Sequence, residues 1–235
     1  PLRKRRERRF GMAMSAFMLL PTYYSMKHAS AMESTFPETR YFYKDALDVV
    51  NQLLPNAQLA YLEGLPNLYC VMAVVILLGF YFGCKRIALR EKVANALLLA
   101  FLFFSVNVNF LDYIWHRFHF PNMLPFRYSF MICFLLIFMA YKAFRRIDDY
   151  EAKYFGVIFA AGSAYYLIAQ RLMKHVVDDS NMFFYMGILW LTLFSALFFG
   201  YKKGFFSFRV LKYVLVFLVI AEMSVAAIYD TNKVG

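Results

Sequence analysis

Charged residues are scarce in this sequence. They make up 17% of its 235 residues, whereas hydrophobic residues make up 62% and aromatic residues 20%. Soluble globular domains carry about 25% charged and roughly 45–50% apolar residues, so the composition excludes an ordinary soluble domain. Long polar connections are scarce as well, because only one segment between apolar runs, residues 27–66, exceeds about twenty residues. The sequence therefore predicts a membrane protein.

Cysteines and the common catalytic motifs are also few or missing. Cys70, Cys84 and Cys133 fall within or at the ends of apolar runs and share no metal-type spacing, which favours packing roles and excludes a disulfide framework. The sequence has no phosphate-cradling glycine loop, nucleophile elbow, zinc-protease helix or nucleotide-binding fingerprint. It also lacks an initiator methionine and a signal-peptide pattern. We expect residues 1–235 to be a single transmembrane domain taken from a longer protein.

Seven apolar runs approach the ~20 residues that a helix needs to cross a bilayer. They are Phe10–Met26, Leu68–Cys84, Val93–Leu111, Tyr128–Phe144, Tyr154–Gln170, Asn181–Gly200 and Leu211–Tyr229. Because cytoplasmic segments are enriched in Lys and Arg, the basic run Leu2–Arg9 predicts a cytoplasmic amino end. In that orientation 18 of the 26 Lys and Arg lie inside. The predicted fold is an all-α, polytopic transmembrane helical bundle with about seven spans, its amino end inside and its carboxyl end outside.

The net charge of +11 does not require a nucleic-acid partner. The basic residues lie in short clusters between the predicted spans, where membrane orientation accounts for them. The cluster at Leu2–Arg9 is also suited to contact anionic lipid. The expected partner of these charges is therefore membrane lipid, and no nucleic acid is expected.

The long polar segment, residues 27–66, is predicted to lie outside the membrane. Five apolar residues in it recur at helical spacing: Phe42, Ala46, Val49, Val50 and Leu53. The pattern predicts a short amphipathic helix that ends at Pro55. It favours equally a helix lying in the membrane interface and a helix packed on the outer ends of the spans.

The next outer loop, Asp112–Phe130, concentrates the polar chemistry of the chain. Asp112, His116 and His119 are spaced so that they share one face if the residues stay helical. A carboxylate and two imidazoles on one face could act as acid and base, or bind a divalent cation. The alternative is a hydrogen-bonded loop with a structural role.

Arg127 and Trp115 are two further candidates in this loop. Arg127 begins the fourth apolar run, at the depth of lipid phosphates, and a guanidinium can hold a phosphate through two hydrogen bonds. The alternative for Arg127 is ordinary snorkelling to the interface. Trp115 and the neighbouring aromatic residues are either a platform for a sugar or part of the aromatic belt of a membrane protein.

Glu222 is an ionisable residue about ten residues inside the seventh run. Such a side chain costs at least ~2.5–3.5 kcal/mol in the bilayer unless it faces a partner or a wet cavity. Glu222 is therefore a functional candidate, and a neutral glutamate hydrogen-bonded between helices is the alternative. Asn107 and Asn109, near the outer end of the third run, are expected to line the same cavity.

Three stretches together resemble a known family. They are NVNFLDYIWHRFHFPNMLPFRYSF at residues 107–130, SAFMLLPTYYSM at residues 15–26 and GLPNLYC at residues 64–70. This combination resembles the YfhO family of bacterial multi-pass membrane proteins, and WHxFHFPxxLPxR is its most specific part. Arg117 stands where the pattern often has glycine. Because family members are longer, the chain resembles their middle portion.

The resemblance implies a glycosyltransferase with a GT-C-like fold in the bacterial plasma membrane. Such an enzyme takes a sugar from a polyprenyl-phosphate carrier at the outer face. It passes the sugar to a cell-envelope polymer, here a teichoic-acid-type acceptor such as lipoteichoic acid. GT-C enzymes usually carry their catalytic carboxylate in the first outer loop, near the true amino end. We therefore expect the segment alone to be inactive.

No residue of the chain inherits the catalytic-base role by matching a motif of the family, and the roles of the candidate residues are a hypothesis based on their chemistry. The catalytic candidates are Asp112 and His116, and no resident metal or other cofactor is expected beyond a divalent cation at these side chains. The substrate-binding candidates are Arg127, His119, Asn122, Trp115 and Glu222.

Two other functions remain open from the sequence. A transporter or flippase would move the lipid-linked intermediate without bond chemistry, using Glu222 and the outer cavity. Transporters often contain internal repeats, and none is visible here. A structural or assembly subunit would use the Asp112–Phe130 loop only to hold the third and fourth spans together.

Overall fold

The computed structural model describes residues 16, 19–25, 36–55, 57, 64–116, 118, 120, 125–172 and 180–234. These residues are helical apart from connections and one isolated bridge between Phe42 and Val108. Residues 19–25 are helical and are labelled α1. The helices that follow are α2 (Ala46–Asn51), α3 (Met72–Gly83), α4 (Leu89–Ser105), α5 (Asn109–Trp115), α6 (Phe130–Phe144), α7 (Ala152–Leu172), α8 (Ser180–Lys202) and α9 (Phe208–Val234). Two 3-10 turns, Arg127–Ser129 and Ile147–Asp149, precede α6 and α7.

Four helical segments in the described residues are long and apolar enough to cross a membrane, judged by length and composition. They are Arg127–Phe144, Ala152–Gln170, Phe184–Lys202 and Phe208–Thr231. These segments agree with the last four predicted runs to within a few residues. About half of the first predicted run, Phe10–Met26, lies outside the described residues, and residues 19–25 of it are helical.

The second predicted run is only partly helical. Residues 66–71 have no regular structure, and α3 begins at Met72 rather than Leu68. With 12 residues, α3 is about 18 Å long, which is shorter than the ~30 Å hydrocarbon core of a bilayer. A helix this short and this apolar is suited to burial among longer helices.

The third predicted run, Val93–Leu111, is wrong in both bounds. Helix α4 begins four residues earlier, at Leu89, and ends at Ser105, and α5 is a separate helix. The break falls at residues 106–108. Asn107 there bonds to a distant loop, and Val108 bridges to Phe42. The predicted run is therefore interrupted at residues 106–108, where the chain pairs with the loop around Phe42 instead of continuing the helix.

The core lies around α3, which packs mainly on α6 and also contacts α7 and α8. Phe80 of α3 is buried in this core. The centroid of its ring lies 4.8 Å from that of Tyr150 and 4.3 Å from that of Phe155. The Tyr150 hydroxyl also donates a 2.8 Å hydrogen bond to the carbonyl oxygen of Phe80. This hydrogen bond attaches the connection between α6 and α7 to helix α3.

Helices α7 and α8 form the other extensive contact, and two glycines lie in it: Gly162 of α7 against Leu191, and Gly187 of α8 against Tyr166. A Cβ atom at Gly187 of α8 would overlap the ring of Tyr166, a buried residue of α7. The missing side chain lets the aromatic ring lie directly against the α8 backbone.

The outer faces of α7 and α9 are apolar. In α9 the exposed side chains include Tyr213, Val216, Phe217, Ile220 and Ile228. Exposed apolar surfaces of this extent in a helical protein are suited to contact lipid rather than water.

The ends of the helices bring charged connections together. At one end, Arg86 approaches Asp149 at 3.5 Å, and Tyr201 of α8 donates a 2.6 Å hydrogen bond to Asp148. We call this the basic end, since it also holds Lys85, Arg90, Lys142, Arg145, Arg146, Lys202, Lys203, Arg209 and Lys212. The loop at residues 36–55, α5 and the start of α6 lie at the opposite end.

Candidate functional site

Two asparagines attach the loop at residues 39–44 to the chain between α4 and α5. The side chain of Asn107 accepts from the Lys44 N–H at 3.1 Å and donates to the Lys44 carbonyl at 2.9 Å. Asn109 accepts from the Tyr41 N–H at 3.2 Å and donates to the Thr39 carbonyl at 2.8 Å. Both asparagines therefore serve the backbone of this loop, and the prediction that they line a cavity with Glu222 is wrong.

The attached loop completes a hydrogen-bond cluster around Asp112. The Asp112 side chain is 3% exposed. Tyr43, from the attached loop, donates to its Oδ2 atom at 2.9 Å. His116 Nδ1 lies 3.1 Å from Oδ1, and the Tyr128 hydroxyl lies 3.0 Å from the same oxygen. We call Asp112, His116, Tyr43 and Tyr128 the Asp112 cluster.

The helix that carries this cluster stops at His116. Helix α5 ends at Trp115, and the His116 Nδ1 atom also lies 3.0 Å from the carbonyl oxygen of Asp112. Phe118 has a φ of +64°, which a continuing right-handed helix does not allow. Asp112 and His116 meet as their spacing predicts, and α5 ends with Trp115. His119 lies outside the described residues, as does Asn122.

An aromatic wall lies beside the cluster. The rings of Trp115 and Tyr128 stack at 5.0 Å with an interplanar angle of 15°. The Tyr128 hydroxyl reaches the carbonyl oxygen of Ser105 at 2.7 Å as well as Asp112, and its single proton serves one acceptor at a time. Trp115 is 36% exposed, so part of its indole ring is open to a ligand.

Arg127 lies at the rim of the same cluster. It is exposed and opens the 3-10 turn that leads into α6. The positive charge of Arg127 disfavours a second positive charge on His116 and so lowers the pKa of that histidine. The structure therefore brings together Asp112, His116, Trp115 and Arg127, four of the predicted site residues.

The environment shifts the ionisation of His116 and Tyr43. Burial alone lowers the pKa of His116, but the hydrogen bonds and charge of Asp112 outweigh it and raise the pKa above its ordinary value. Burial raises the pKa of the Tyr43 hydroxyl, and the charge of Asp112 raises it further. Asp112 thus favours a protonated imidazolium and neutral phenols around it.

We expect the protein to lose stability as pH rises through the pKa of His116. A group with a raised folded-state pKa stabilises the fold fully below its unfolded pKa, about 6.5 for histidine, and the contribution disappears above the folded value. Thermal unfolding of the purified protein should therefore occur at lower temperature as pH increases above about 6.5. The His116→Gln variant should show a flatter profile. Parallel profiles for the two proteins would contradict the assignment.

Glu222 belongs to a different place in the fold. It is fully buried, and its Oε1 atom accepts hydrogen bonds from the Tyr69 hydroxyl at 2.5 Å and the Met72 N–H at 3.0 Å. Its Oε2 atom has no hydrogen-bond partner among the described residues. Glu222 therefore joins α9 to the amino end of α3, and its contacts are separate from those of the Asp112 cluster.

Three tyrosines that bind the two carboxylates could not be identified from the sequence. Tyr43 and Tyr128 donate to Asp112, and Tyr69 donates to Glu222. From the sequence, Tyr128 is one of the aromatic residues near Trp115 that fit either a sugar platform or an aromatic belt. A phenol hydroxyl can donate a hydrogen bond to a carboxylate, but the sequence does not indicate which tyrosine contacts which carboxylate. No group of three or more His, Cys, Asp and Glu suited to hold a metal ion occurs in the described residues.

The apolar helices and this polar cluster at one end define a helical membrane protein. Residues 10–235 match the family described as Bacterial membrane protein YfhO. Because the match covers nearly the whole chain, the protein belongs to that family. No curated protein and no solved structure matches the chain.

Proposed function

We propose that the chain is part of a glycosyltransferase that takes a sugar from a polyprenyl-phosphate carrier and passes it to a cell-envelope polymer. One observation carries this proposal: an exposed arginine, Arg127, lies beside a histidine, His116, whose Nδ1 atom is 3.1 Å from a buried aspartate that raises the histidine pKa. An arginine and a histidine at one end of a membrane protein are suited to bind a lipid-linked phosphate. Membership of the YfhO family supports the same assignment.

The proposal includes a multi-pass topology in the bacterial plasma membrane. It has about seven spans in a GT-C-like arrangement, with the amino end inside and the site at the outer face. The segregation of charge supports this orientation, because the basic end lies opposite the Asp112 cluster and cytoplasmic ends are enriched in Lys and Arg. Residues 27–66, with α2, form an outer loop in this topology.

Each member of the site has a role in this proposal. Arg127 holds the carrier phosphate through its two-pronged guanidinium, and His116 donates to the same phosphate as it leaves the sugar. Asp112 is a positioning residue, because both of its oxygens already accept hydrogen bonds within the cluster. The stacked ring of Trp115 offers its open part to the sugar.

The remaining predicted residues stay part of the proposal. His119 and Asn122 shape the pocket, and Glu222 contributes indirectly, through its hydrogen bonds to Tyr69 and Met72 at the start of α3. The acceptor, a teichoic-acid-type polymer such as lipoteichoic acid, must lose a proton from its hydroxyl. Both oxygens of Asp112 already accept hydrogen bonds, so in this proposal the base that takes the proton lies outside the Asp112 cluster.

Replacement of Arg127 tests the proposal. In a Gram-positive deletion strain complemented with the full-length protein, Arg127→Ala should reduce sugar on membrane-bound teichoic acid by ~100-fold or more, as expected when a group that stabilises transition-state charge is removed. Arg40→Ala is the matched control, since Arg40 is an exposed cation that lies over Phe110, 5.3 Å from the ring centroid, at the same end. Its sugar content should equal that of the wild type.

Two outcomes would count against the glycosyltransferase. Wild-type sugar content in Arg127→Ala, at equal protein abundance, would remove Arg127 from the mechanism. If the deletion strain instead accumulates inward-facing sugar carrier, the protein acts as a flippase. Lost sugar with normal carrier flipping supports the proposal.

A further inference from the structure

A charged cavity lies at the basic end, between the connection into α4 and the carboxyl end of α6. Its volume is about 550 Å³. It is lined by Arg86, Ile87, Ala88, Glu91, Lys142, Arg145, Arg146 and Asp149. Helices α4 and α6 reach the Asp112 cluster with their other ends, so the cavity is distinct from the candidate functional site.

The lining of this cavity has more positive than negative charge. Arg86, Lys142, Arg145 and Arg146 contribute four cations, and Glu91 and Asp149 contribute two carboxylates, so the net charge of the lining is +2. Lys142 forms a close ion pair with Glu91 at 2.7 Å. Arg145 forms no ion pair within the part of the chain that the structure describes. The cavity therefore has unbalanced positive charge.

The remaining ion pairs are loose and solvent-exposed. Asp149 lies 3.5 Å from Arg86 and 3.8 Å from Arg146, and the two arginine side chains are 70% and 43% exposed. Exposed pairs at such distances contribute little to stability. Both guanidinium groups can thus turn to a stronger acceptor without disturbing the fold. Three arginines converging on one cavity offer the planar, two-pronged donors that phosphate oxygens prefer.

The start of α4 adds to this positive environment. The residue before its first turn, Ala88, has no side chain able to accept a hydrogen bond, and α4 has no side-chain cap. The first N–H groups of a helix carry partial positive charge, which favours an anion nearby. Ala88 itself lines the cavity, so this helix end faces the same space as the arginines.

We propose that this cavity binds a phosphate-bearing anion, with the phosphate held by Arg86, Arg145 and Arg146. The headgroup of an anionic phospholipid is one source of that phosphate. Basic cavities between helices at the cytoplasmic side of membrane proteins suit such headgroups. A soluble phosphorylated compound is the other source. The proposal does not depend on the glycosyltransferase assignment, because it concerns the opposite end of the helices.

Ligand titrations with matched charge variants test the proposal. The full-length protein in neutral detergent is titrated with short-chain phosphatidylglycerol, phosphatidylcholine or inorganic phosphate, and the shift in unfolding temperature gives an apparent affinity. Arg145→Gln/Arg146→Gln removes two charges from the cavity. Lys203→Gln/Arg209→Gln removes two charges from the same end of the protein but outside the cavity. Arg145→Gln alone keeps all the ion pairs described above and serves if the double variant does not fold.

We expect phosphatidylglycerol to bind the wild type more tightly than phosphatidylcholine does. The cavity variant should bind it at least roughly tenfold more weakly, as expected from the loss of the charge-assisted hydrogen bonds of two arginines, and the control variant should match the wild type. If inorganic phosphate alone produces this pattern, the site is confirmed and its ligand is soluble. Equal affinities in the cavity and control variants, or no effect of any phosphate on the wild type, would overturn the proposal.

Discussion

Replacement of Asp112 by alanine is expected to lower the free energy of unfolding by ~3–5 kcal/mol. The variant would leave two groups at this buried carboxylate, the Nδ1 atom of His116 and the hydroxyl of Tyr43, without their hydrogen-bond acceptor. A buried polar group without a partner pays its full desolvation free energy. That penalty is larger than the net stabilisation from the intact pair, so removing one partner is strongly destabilising. The loop at residues 39–44 would also lose one of its attachments to α5.

Unfolding of the purified protein in increasing sodium dodecyl sulfate measures this change. Asp45→Ala is a suitable control, because Asp45 is exposed and its side chain does not cap α2. Its effect should stay within about 0.5 kcal/mol, as is usual for surface substitutions. Asp112→Asn should fall between the two, since the amide keeps one acceptor oxygen but loses the charge. Equal stability of Asp112→Ala and Asp45→Ala would show that the cluster does not stabilise the fold.

The local part of the Asp112 cluster could be predicted from the sequence. Asp112 and His116 are four residues apart, and any helix places such a pair on one face. Arg127 stands at the start of an apolar run, and the structure places it at the start of the segment Arg127–Phe144. These predictions depend only on helix geometry and on hydrophobicity, which are properties of neighbouring residues.

The remote part of the cluster could not be predicted in the same way. Tyr43 reaches Asp112 across 69 residues, and Tyr69 reaches Glu222 across 153. With 18 tyrosines in the chain, composition gives no means of choosing the partner. The break after Ser105 has the same origin. The run Val93–Leu111 is predominantly apolar, and both the loop at residues 39–44 and the Tyr128 hydroxyl provide hydrogen bonds where α4 ends.

The sequence left two roles open for Glu222, a functional group or a carboxyl group hydrogen-bonded between helices. Its contacts are with the first residue of α3 and with Tyr69, which fits the second alternative. The residue before α3, Val71, has a φ of +76°, which is costly for a β-branched side chain. Such a conformation costs about 1–3 kcal/mol and persists only where surrounding contacts impose it. The hydrogen bond from the next residue, Met72, to Glu222 is one such contact.

Replacement of Glu222 by alanine should therefore release the amino end of α3. The Tyr69 hydroxyl and the Met72 N–H would both lose their acceptor, at roughly 1–3 kcal/mol each, and Val71 could relax. We expect faster hydrogen exchange in peptides covering residues 66–76, while peptides from α8 keep wild-type rates. Glu222→Gln, which keeps an acceptor oxygen, should exchange more slowly than Glu222→Ala. Met223→Ala is the control, because its side chain is 47% exposed on the same helix. Unchanged exchange in Glu222→Ala would show that other contacts hold α3.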